Sequence, residues 1–215
     1  MDNSTRLTAL QQDSLWAFAL RFYALPDVEA AFLCLQDEEG VDVCEVLFHS
    51  WLFIYGLEAN PQALAIERRE RSRWQTDITV VLRQLRQALK HDAVRAGADS
   101  GVAELRNTIK KAELLAEREN LQRWQAWGQW HEQAIRGLSK PVRSIQMLAK
   151  WLKLSVTCPH LDNISGDENI SSPAIDSAWM IIASRLDPLI RAREPENQLV
   201  LFDIESELAQ TNVYC

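Results

Sequence analysis

Glycine and proline are scarce in this chain, with seven of each among 215 residues. The scarcity argues against turn-rich β structure, because tight turns depend on both residue types. The sequence also lacks the patterns of phosphate-binding loops, dinucleotide-binding loops and nucleophile elbows. It contains no E-x-x-H pair, which a di-iron helical bundle requires. We therefore predict no catalytic residue, no cofactor and no metal, and these absences argue against an enzyme without excluding one.

Cysteine usage points to a reducing compartment. The chain has four cysteines, and no two of them form a C-x-x-C pair. The segment Cys158-Pro159-His160 fits no zinc pattern, because a second pair of ligands is missing. The N-terminus is polar and shows no signal peptide. We therefore expect a cytoplasmic protein with reduced thiols.

Charge is unevenly distributed along the chain, whose net charge is −7. Residues 1–60 hold two basic and ten acidic side chains, whereas residues 61–125 hold thirteen basic and nine acidic ones. Proteins that bind nucleic acid normally carry a basic footprint. The overall acidity therefore argues against nucleic acid as a partner.

The most apolar and aromatic stretch runs from Leu15 to Gly56 and predicts three helices. The first covers Leu15–Tyr23, Pro26 suits the first turn of the second, and Asp42 begins the third. The third helix is apolar on nearly all sides, so we expect it to be buried inside a bundle. It is too short and too polar to cross a membrane comfortably.

The middle of the chain predicts longer helices. Residues 64–91 are expected to be helical, with a break or a new N-cap at Thr76-Asp77, and Pro61 can open this segment. A long helix follows from Val102 to about Glu132. It can pair with the preceding helix as an antiparallel hairpin, or with a copy of itself in a homodimer. Its candidate packing seam, spaced four-three-four, is Leu105, Ile109, Ala112 and Ala116.

Three tryptophans, Trp124, Trp127 and Trp130, share one broad face of the long helix. Core packing is the favoured interpretation, and a stacking platform for a partner is the alternative. Residues 157–173 have the composition of a linker. We therefore predict a main helical domain over residues 1–156 and a C-terminal helical segment over residues 174–215 that packs on or beside this domain. The predicted fold class is all-α: a compact multi-helix bundle with a long helical hairpin and a C-terminal helical appendage.

Two basic regions are candidate partner-binding surfaces. One lies within the predicted helical segment 64–91, and the other is a basic amphipathic helix after Gly137. Such a helix can dock on a partner or lie on an anionic membrane, and we favour the partner. The candidate residues are Arg68, Arg69, Arg73, Arg83, Arg86, Lys140, Arg143, Lys150 and Lys153.

An aromatic-lined pocket in the N-terminal helices is the alternative kind of site. Its candidate residues are Trp16, Tyr23, His49 and Trp51. Glu45 precedes His49 by four residues, but one such pair cannot hold a metal without further ligands. This alternative predicts a small-molecule-binding protein or an enzyme.

The N-terminal half also resembles a family of uncharacterised, mostly gammaproteobacterial proteins known only as a domain of unknown function. The resemblance covers roughly residues 15–121 and implies a cytoplasmic bacterial helical protein. It implies no activity, so no functional residue can be carried over. The residues that carry it are Leu15-Trp16-x-Phe18-Ala19-Leu20, Tyr23-Ala24-x-Pro26-x-Val28-Glu29-Ala30-Ala31, Leu33-x-Leu35-Gln36, Asp42-Val43-Cys44, Trp51-Leu52 and Glu113-Leu-Leu-Ala-Glu117-Arg118.

Together these patterns favour a non-catalytic cytosolic helical protein. Its expected role is to bind another macromolecule, with a protein as the favoured partner, as an adaptor or regulator. The partner itself is not identified by any motif.

Overall fold

The computed structural model describes residues 3–130, 134–157 and 172–191. These residues are mainly helical, and the two strands present are three residues each, so the all-α prediction is confirmed. The helices are α1 (Asn3–Gln12), α2 (Leu15–Tyr23), α3 (Val28–Glu39), α4 (Val43–Phe53), α5 (Pro61–Trp74), α6 (Val80–Ala88), α7 (Lys90–Ala96), α8 (Gly101–Trp130), α9 (Ile145–Thr157) and α10 (Pro173–Arg191). A π-helical segment (Gln75–Thr79) joins α5 to α6, and strand β1 (Leu57–Ala59) pairs with β2 (Ile135–Gly137).

Several predictions fall outside the described residues. Most of the predicted linker (residues 157–173) lies there, together with Cys158-Pro159-His160 and the end of the predicted C-terminal segment (174–215). Among the helices that the structure does describe, none has both the length and the apolarity needed to cross a membrane.

The chain divides into two compact units that differ from the predicted domains. Unit 1 comprises residues 1–19 and 58–137, and unit 2 comprises residues 20–57 and 138–215. Helix α10 belongs to unit 2, where it packs on α3 and α9. The predicted division followed linker composition. Composition marks where a chain is polar, but it does not say which distant helix a later segment will cover.

Helix α4 forms the centre of unit 2, as its apolar sequence predicted. All of its residues from Val43 to Phe53 are buried. Asp42 caps the helix, since its side chain accepts a hydrogen bond from Cys44 N at 2.9 Å. On α9, Trp151 packs against the rings of His49 and Phe53, with centroids 6.1 and 5.1 Å away. A helix with no polar face is expected to be buried on every side.

The start of α3 differs from the prediction. Pro26 does not open this helix, which begins at Val28 after Asp27 takes the left-handed conformation with φ 66°. Arg185 of α10 donates to the Pro26 carbonyl at 3.1 Å and to the Asp27 carboxylate at 3.2 Å. A contact far away in sequence thus accompanies the local turn, which is why proline alone did not predict it.

Unit 1 is built around α8, which packs against the rod formed by α5, the π-helical segment and α6. The two run antiparallel, since Arg123 lies over the Trp74 ring while Arg86 bonds Glu113. Pro61 begins α5 as predicted, with Asn60 accepting a hydrogen bond from Gln62 N at 3.0 Å. Helices α1 and α7 also contact α8. Leu121, Trp124 and Trp127 of α8 are buried.

The π-helical segment replaces the break or N-cap predicted at Thr76-Asp77. In an uninterrupted α-helix, the nine steps from Trp74 to Arg83 add up to a net rotation of about 180°, so the two side chains would point to opposite sides. One extra residue in a π turn reduces this angle by about 100°. Both side chains then reach α8: Trp74 Nε1 donates to the Ala116 carbonyl at 3.1 Å, and Arg83 bonds Glu113.

Deletion of Thr76, an exposed residue of the π-helical segment, tests this account. The deletion should convert the segment to regular α-helix without disturbing either contact with α8. We expect the free energy of unfolding, measured by urea denaturation, to change by less than about 1 kcal/mol.

The matched control is deletion of Gln84, an exposed residue in the regular part of α6. This deletion rotates Arg86 away from Glu113 and should cost about 2 kcal/mol or more, because the buried carboxylate of Glu113 then keeps only one of its two arginines. Equal losses of stability for the two deletions would contradict the role assigned to the π turn.

Candidate functional site

An ion-pair cluster joins α6 to α8. Arg83 Nε lies 3.1 Å from Glu113 Oε1, and Arg83 Nη2 lies 3.1 Å from Glu117 Oε1. Arg86 donates to both carboxylate oxygens of Glu113. Only 12% of the Arg83 side chain and 8% of the Glu113 side chain are exposed. The prediction that Arg83 and Arg86 form part of an exposed partner surface is therefore corrected, because both guanidinium groups are used inside unit 1.

Glu117 is a carboxyl of the cluster whose pKa is raised. Burial raises the pKa of its carboxyl above the ordinary value, and the nearby charge of Glu113 raises it further, whereas Arg83 and Arg86 lower it only in part. The pKa of Glu117 is raised overall, so the cost of removing its charge from water outweighs the attraction of the arginines. Glu117 is therefore held at an energetic cost that Arg83 reduces but does not remove.

A groove lies on another side of α8, where this helix meets the start of α2. Arg118 is exposed, and its guanidinium carbon lies 5.5 Å from the centroid of the Trp16 ring. Trp130 is 79% exposed. The groove encloses about 250 Å³, and we call it the Arg118 groove. It is lined by Ser14, Trp16, Arg118, Gln122, Gln125, Ala126, Gln129 and Trp130.

Two glutamines hold the floor of the Arg118 groove in place. Gln125 Oε1 accepts a hydrogen bond from Leu15 N at 2.9 Å, and its Nε2 donates to Gln129 Oε1 at 3.4 Å. Gln129 Nε2 donates to the Leu10 carbonyl at 3.3 Å. These bonds tie the ends of α1 and α2 to α8 within unit 1. Gln125 and Gln129 thus act as structural clamps, and Gln122 is exposed.

The other predicted basic residues are found in several places. Arg69 and Arg73 are exposed on α5, and Arg73 Nε lies 3.8 Å from Asp77. Arg68 is half-buried on the same helix. In unit 2 the predicted basic helix is shorter than expected, since α9 begins at Ile145. Lys140 and Arg143 precede α9 and are exposed. On α9 itself, Lys150 is exposed, and Lys153 Nζ lies 3.5 Å from Asp176.

The predicted aromatic pocket is not assembled as one lining. Trp16 lines the Arg118 groove of unit 1, whereas Tyr23, His49 and Trp51 belong to unit 2 and are absent from that lining. Tyr23 stacks on Phe32 with centroids 5.1 Å apart. His49 and Trp51 are buried in the packing of α4. The pattern was misread because a buried apolar helix and a pocket wall have the same composition.

Sequence reasoning missed Arg118 as a site residue, although a signal was present. Arg118, Gln122, Gln125 and Gln129 recur with the four-three-four spacing that places residues on one helical face. A polar stripe at this spacing attracts less notice than an apolar seam. In the tryptophan row, Trp124 and Trp127 are buried, as the core-packing interpretation predicted. Trp130 is exposed, as the alternative of a stacking platform requires.

Reactive groups are weakly represented in the described part of the chain. No three His, Cys, Asp or Glu side chains there lie close enough together to hold a metal ion. Cys34 Sγ lies 3.7 Å from Glu38 Oε1. Burial raises the pKa of the Cys34 thiol, and the charge of Glu38 raises it further, so this thiol is not activated as a nucleophile.

The fold thus defines an all-α protein with an aromatic, cationic groove on its longest helix. A family model described as "Protein of unknown function (DUF2390)" matches residues 14–124, slightly more than half of the chain. The chain belongs to this family, as the resemblance of its N-terminal half predicted. No curated protein and no solved structure matches it significantly.

Replacing each glutamate of the ion-pair cluster by glutamine should give opposite results. Glu113→Gln should lower the free energy of unfolding by about 3 kcal/mol, because Arg83 and Arg86 lose a shared buried partner. Glu117→Gln should be nearly neutral at pH 4. Chemical denaturation at several pH values measures both effects.

The pH dependence of Glu117→Gln follows from the direction of the pKa shift. A raised pKa in the folded state stabilises the fold below the ordinary glutamate pKa, and this contribution is lost as the pH rises through the raised value. Glutamine does not ionise, so Glu117→Gln should gain stability relative to the wild type between pH 4 and 7. A relative loss over that range would contradict the assignment.

Proposed function

We propose that this protein binds an acidic segment of a protein partner through the Arg118 groove and has no catalytic role of its own. The observation that carries the proposal is the exposed guanidinium of Arg118 beside the Trp16 ring at the edge of the groove. A cation held on an aromatic face is positioned to meet a carboxylate, and the ring offers apolar contact next to it.

The exposure of Trp130 supports a macromolecular partner. Its indole is 79% exposed, although burying an aromatic side chain is strongly favourable. Tryptophan and arginine are the residue types that most often carry the binding energy of protein–protein interfaces. The groove combines both types within one lining, and an aromatic or apolar side chain of a partner could cover Trp130.

The size of the groove supports side chains as its occupants. Its volume of about 250 Å³ lies below the usual range of small-molecule pockets, which is roughly 300–1,000 Å³. The space suits one or two side chains of a partner. Within the described part of the chain, its lining consists of Trp, Arg, Gln, Ser and Ala and holds no carboxylate, imidazole or thiol, the groups that most often act as acids and bases.

We further propose that the protein works in the cytoplasm of a bacterium. The sequence has four cysteines and no C-x-x-C pair, which supports a reducing compartment. The family resemblance supports a bacterial origin.

The proposal is tested with synthetic peptides and the full-length protein. The probes are twelve-residue peptides that combine Asp or Glu with one aromatic or branched apolar residue, and matched peptides in which Asn or Gln replaces each acid. We expect preferential binding of the acidic peptides in fluorescence anisotropy. Arg118→Gln should weaken this binding at least about tenfold, or about 1.4 kcal/mol, because the charge that meets the carboxylate is removed.

Lys111→Gln provides the matched control, since Lys111 is also an exposed cation on α8 but does not line the groove. It should leave the affinity unchanged, whereas Trp130→Ala should reduce it. Equal affinity for the acidic and the neutral peptides, equal effects of Arg118→Gln and Lys111→Gln, or tighter binding of single-stranded RNA would overturn the proposal.

A further inference from the structure

Two polar residues are buried between α8 and the rod of unit 1. Thr79 is the last residue of the π-helical segment, Asn120 belongs to α8, and both are 0% exposed. Among the residues that the structure describes, none bonds the Thr79 hydroxyl or either polar atom of the Asn120 side chain. Buried polar atoms in proteins are nearly always hydrogen-bonded, because leaving one without a partner costs free energy. These three atoms therefore need an explanation.

Two contacts between the rod and α8 define the level at which these residues lie. At one end, Arg83 Nη2 is 3.1 Å from Glu117 Oε1. At the other end, the guanidinium carbon of Arg123 is 4.0 Å from the centroid of the Trp74 ring. The rod and α8 run antiparallel, so a step backward along the rod and a step forward along α8 lead to the same level.

The sequence positions of Thr79 and Asn120 place them between these two contacts. On α8, Asn120 is midway between Glu117 and Arg123, three residues from each. On the rod, Thr79 lies four residues before the arginine of the first contact and five residues after the tryptophan of the second. Steps of three or four residues in an α-helix, and of five in a π turn, return a side chain to nearly the same face. Thr79 and Asn120 therefore lie opposite each other in the interior.

Gln75 adds a third polar side chain on this face of the rod. It precedes Thr79 by four residues, which keeps it near the same face. Its Oε1 atom is buried and has no hydrogen-bond partner in the described part of the chain. The backbone around it is occupied by the π turn, since Val80 N donates to the Gln75 carbonyl five residues earlier. Four polar side-chain atoms thus share one interior region.

We propose that Thr79, Asn120 and Gln75 form a binding site for an internal water molecule. A buried water typically makes about three hydrogen bonds to polar groups that have no other partner. The hydroxyl and the amide nitrogen of the site can donate, whereas the hydroxyl and the two amide oxygens can accept. Water both donates and accepts, so it suits this mixture. Thr79 and Asn120 do not bond each other directly, and polar groups separated by more than about 3.5 Å are commonly bridged by a water.

The chemistry of the site favours water over a metal ion. None of the three side chains is charged, and the amide nitrogen of Asn120 can only donate a hydrogen bond. Hard metal cations usually take six or more oxygen ligands, with carboxylates among them. Glu117, one turn away along α8, is paired with Arg83. The site faces the rod, on another side of α8 from the Arg118 groove, so this inference does not depend on the proposed function.

Oxygen-17 magnetic relaxation dispersion of the full-length protein tests the proposal. The method detects water molecules that reside inside a protein for a long time, and it follows the water oxygen, so exchange of hydroxyl protons does not disturb it. The double variant Thr79→Val with Asn120→Leu removes three of the polar atoms and fills the space between the two side chains. It should lose the relaxation amplitude of at least one water molecule. Equal amplitudes for this variant and the wild type would overturn the proposal.

The matched control is the double variant Asn107→Leu with Thr108→Val, which makes the same two changes at exposed positions of α8. It should leave the relaxation amplitude unchanged, and an equal loss in the control would count against the site.

A crystal structure of the wild type is a second measurement that needs no variant to fold. It should show an ordered water within hydrogen-bond distance of Thr79 Oγ1 and of the Asn120 amide. A direct hydrogen bond between the two side chains, or a metal ion between them, would contradict the assignment.

Discussion

The pairing of Arg83 and Arg86 with Glu113 and Glu117 is the constraint on which the arrangement of unit 1 depends. Buried ion pairs contribute little net stability, because removal from water offsets most of the attraction. Their effect here is on register. A guanidinium group bonds carboxylate oxygens in a fixed planar geometry, whereas apolar helix contacts permit sliding. A shift of α8 by one turn would leave Glu113, 8% exposed, without its two arginines.

The π-helical segment follows from the same constraint. Trp74 and Arg83 must both reach α8, yet their separation in sequence places them on opposite sides of a regular helix. One extra residue resolves the conflict locally and leaves α5 and α6 regular. With the register fixed, α8 presents one side to the rod and another to the Arg118 groove. The rotation of α8 about its own axis decides which of its residues lie on each of these sides.

The sequence predicted most of the helices and the burial of α4, because these depend on local periodicity. Helix α4 has no polar face, and Pro61 and Asn60 form a capping pair at the start of α5. The sequence did not predict the partners of Arg83 and Arg86. An arginine on a polar helix face gives the same pattern whether its side chain meets water or a distant glutamate. The sequence predicted that the C-terminal segment packs on or beside the main domain, but it did not identify α3 and α9 as its contacts, because a linker composition does not specify which helices a later segment covers.

The tryptophan row of α8 shows why one spacing gave two outcomes. A step of three residues turns a helix by about 300°, so each tryptophan lies about 60° behind the one before it. Trp124 and Trp127 are both buried, with ring centroids 5.9 Å apart in an edge-to-face contact. By Trp130 the drift is about 120°, which exceeds the width of a packed face. This rotation places Trp130 outside the core, and its exposed indole lies at the edge of the Arg118 groove.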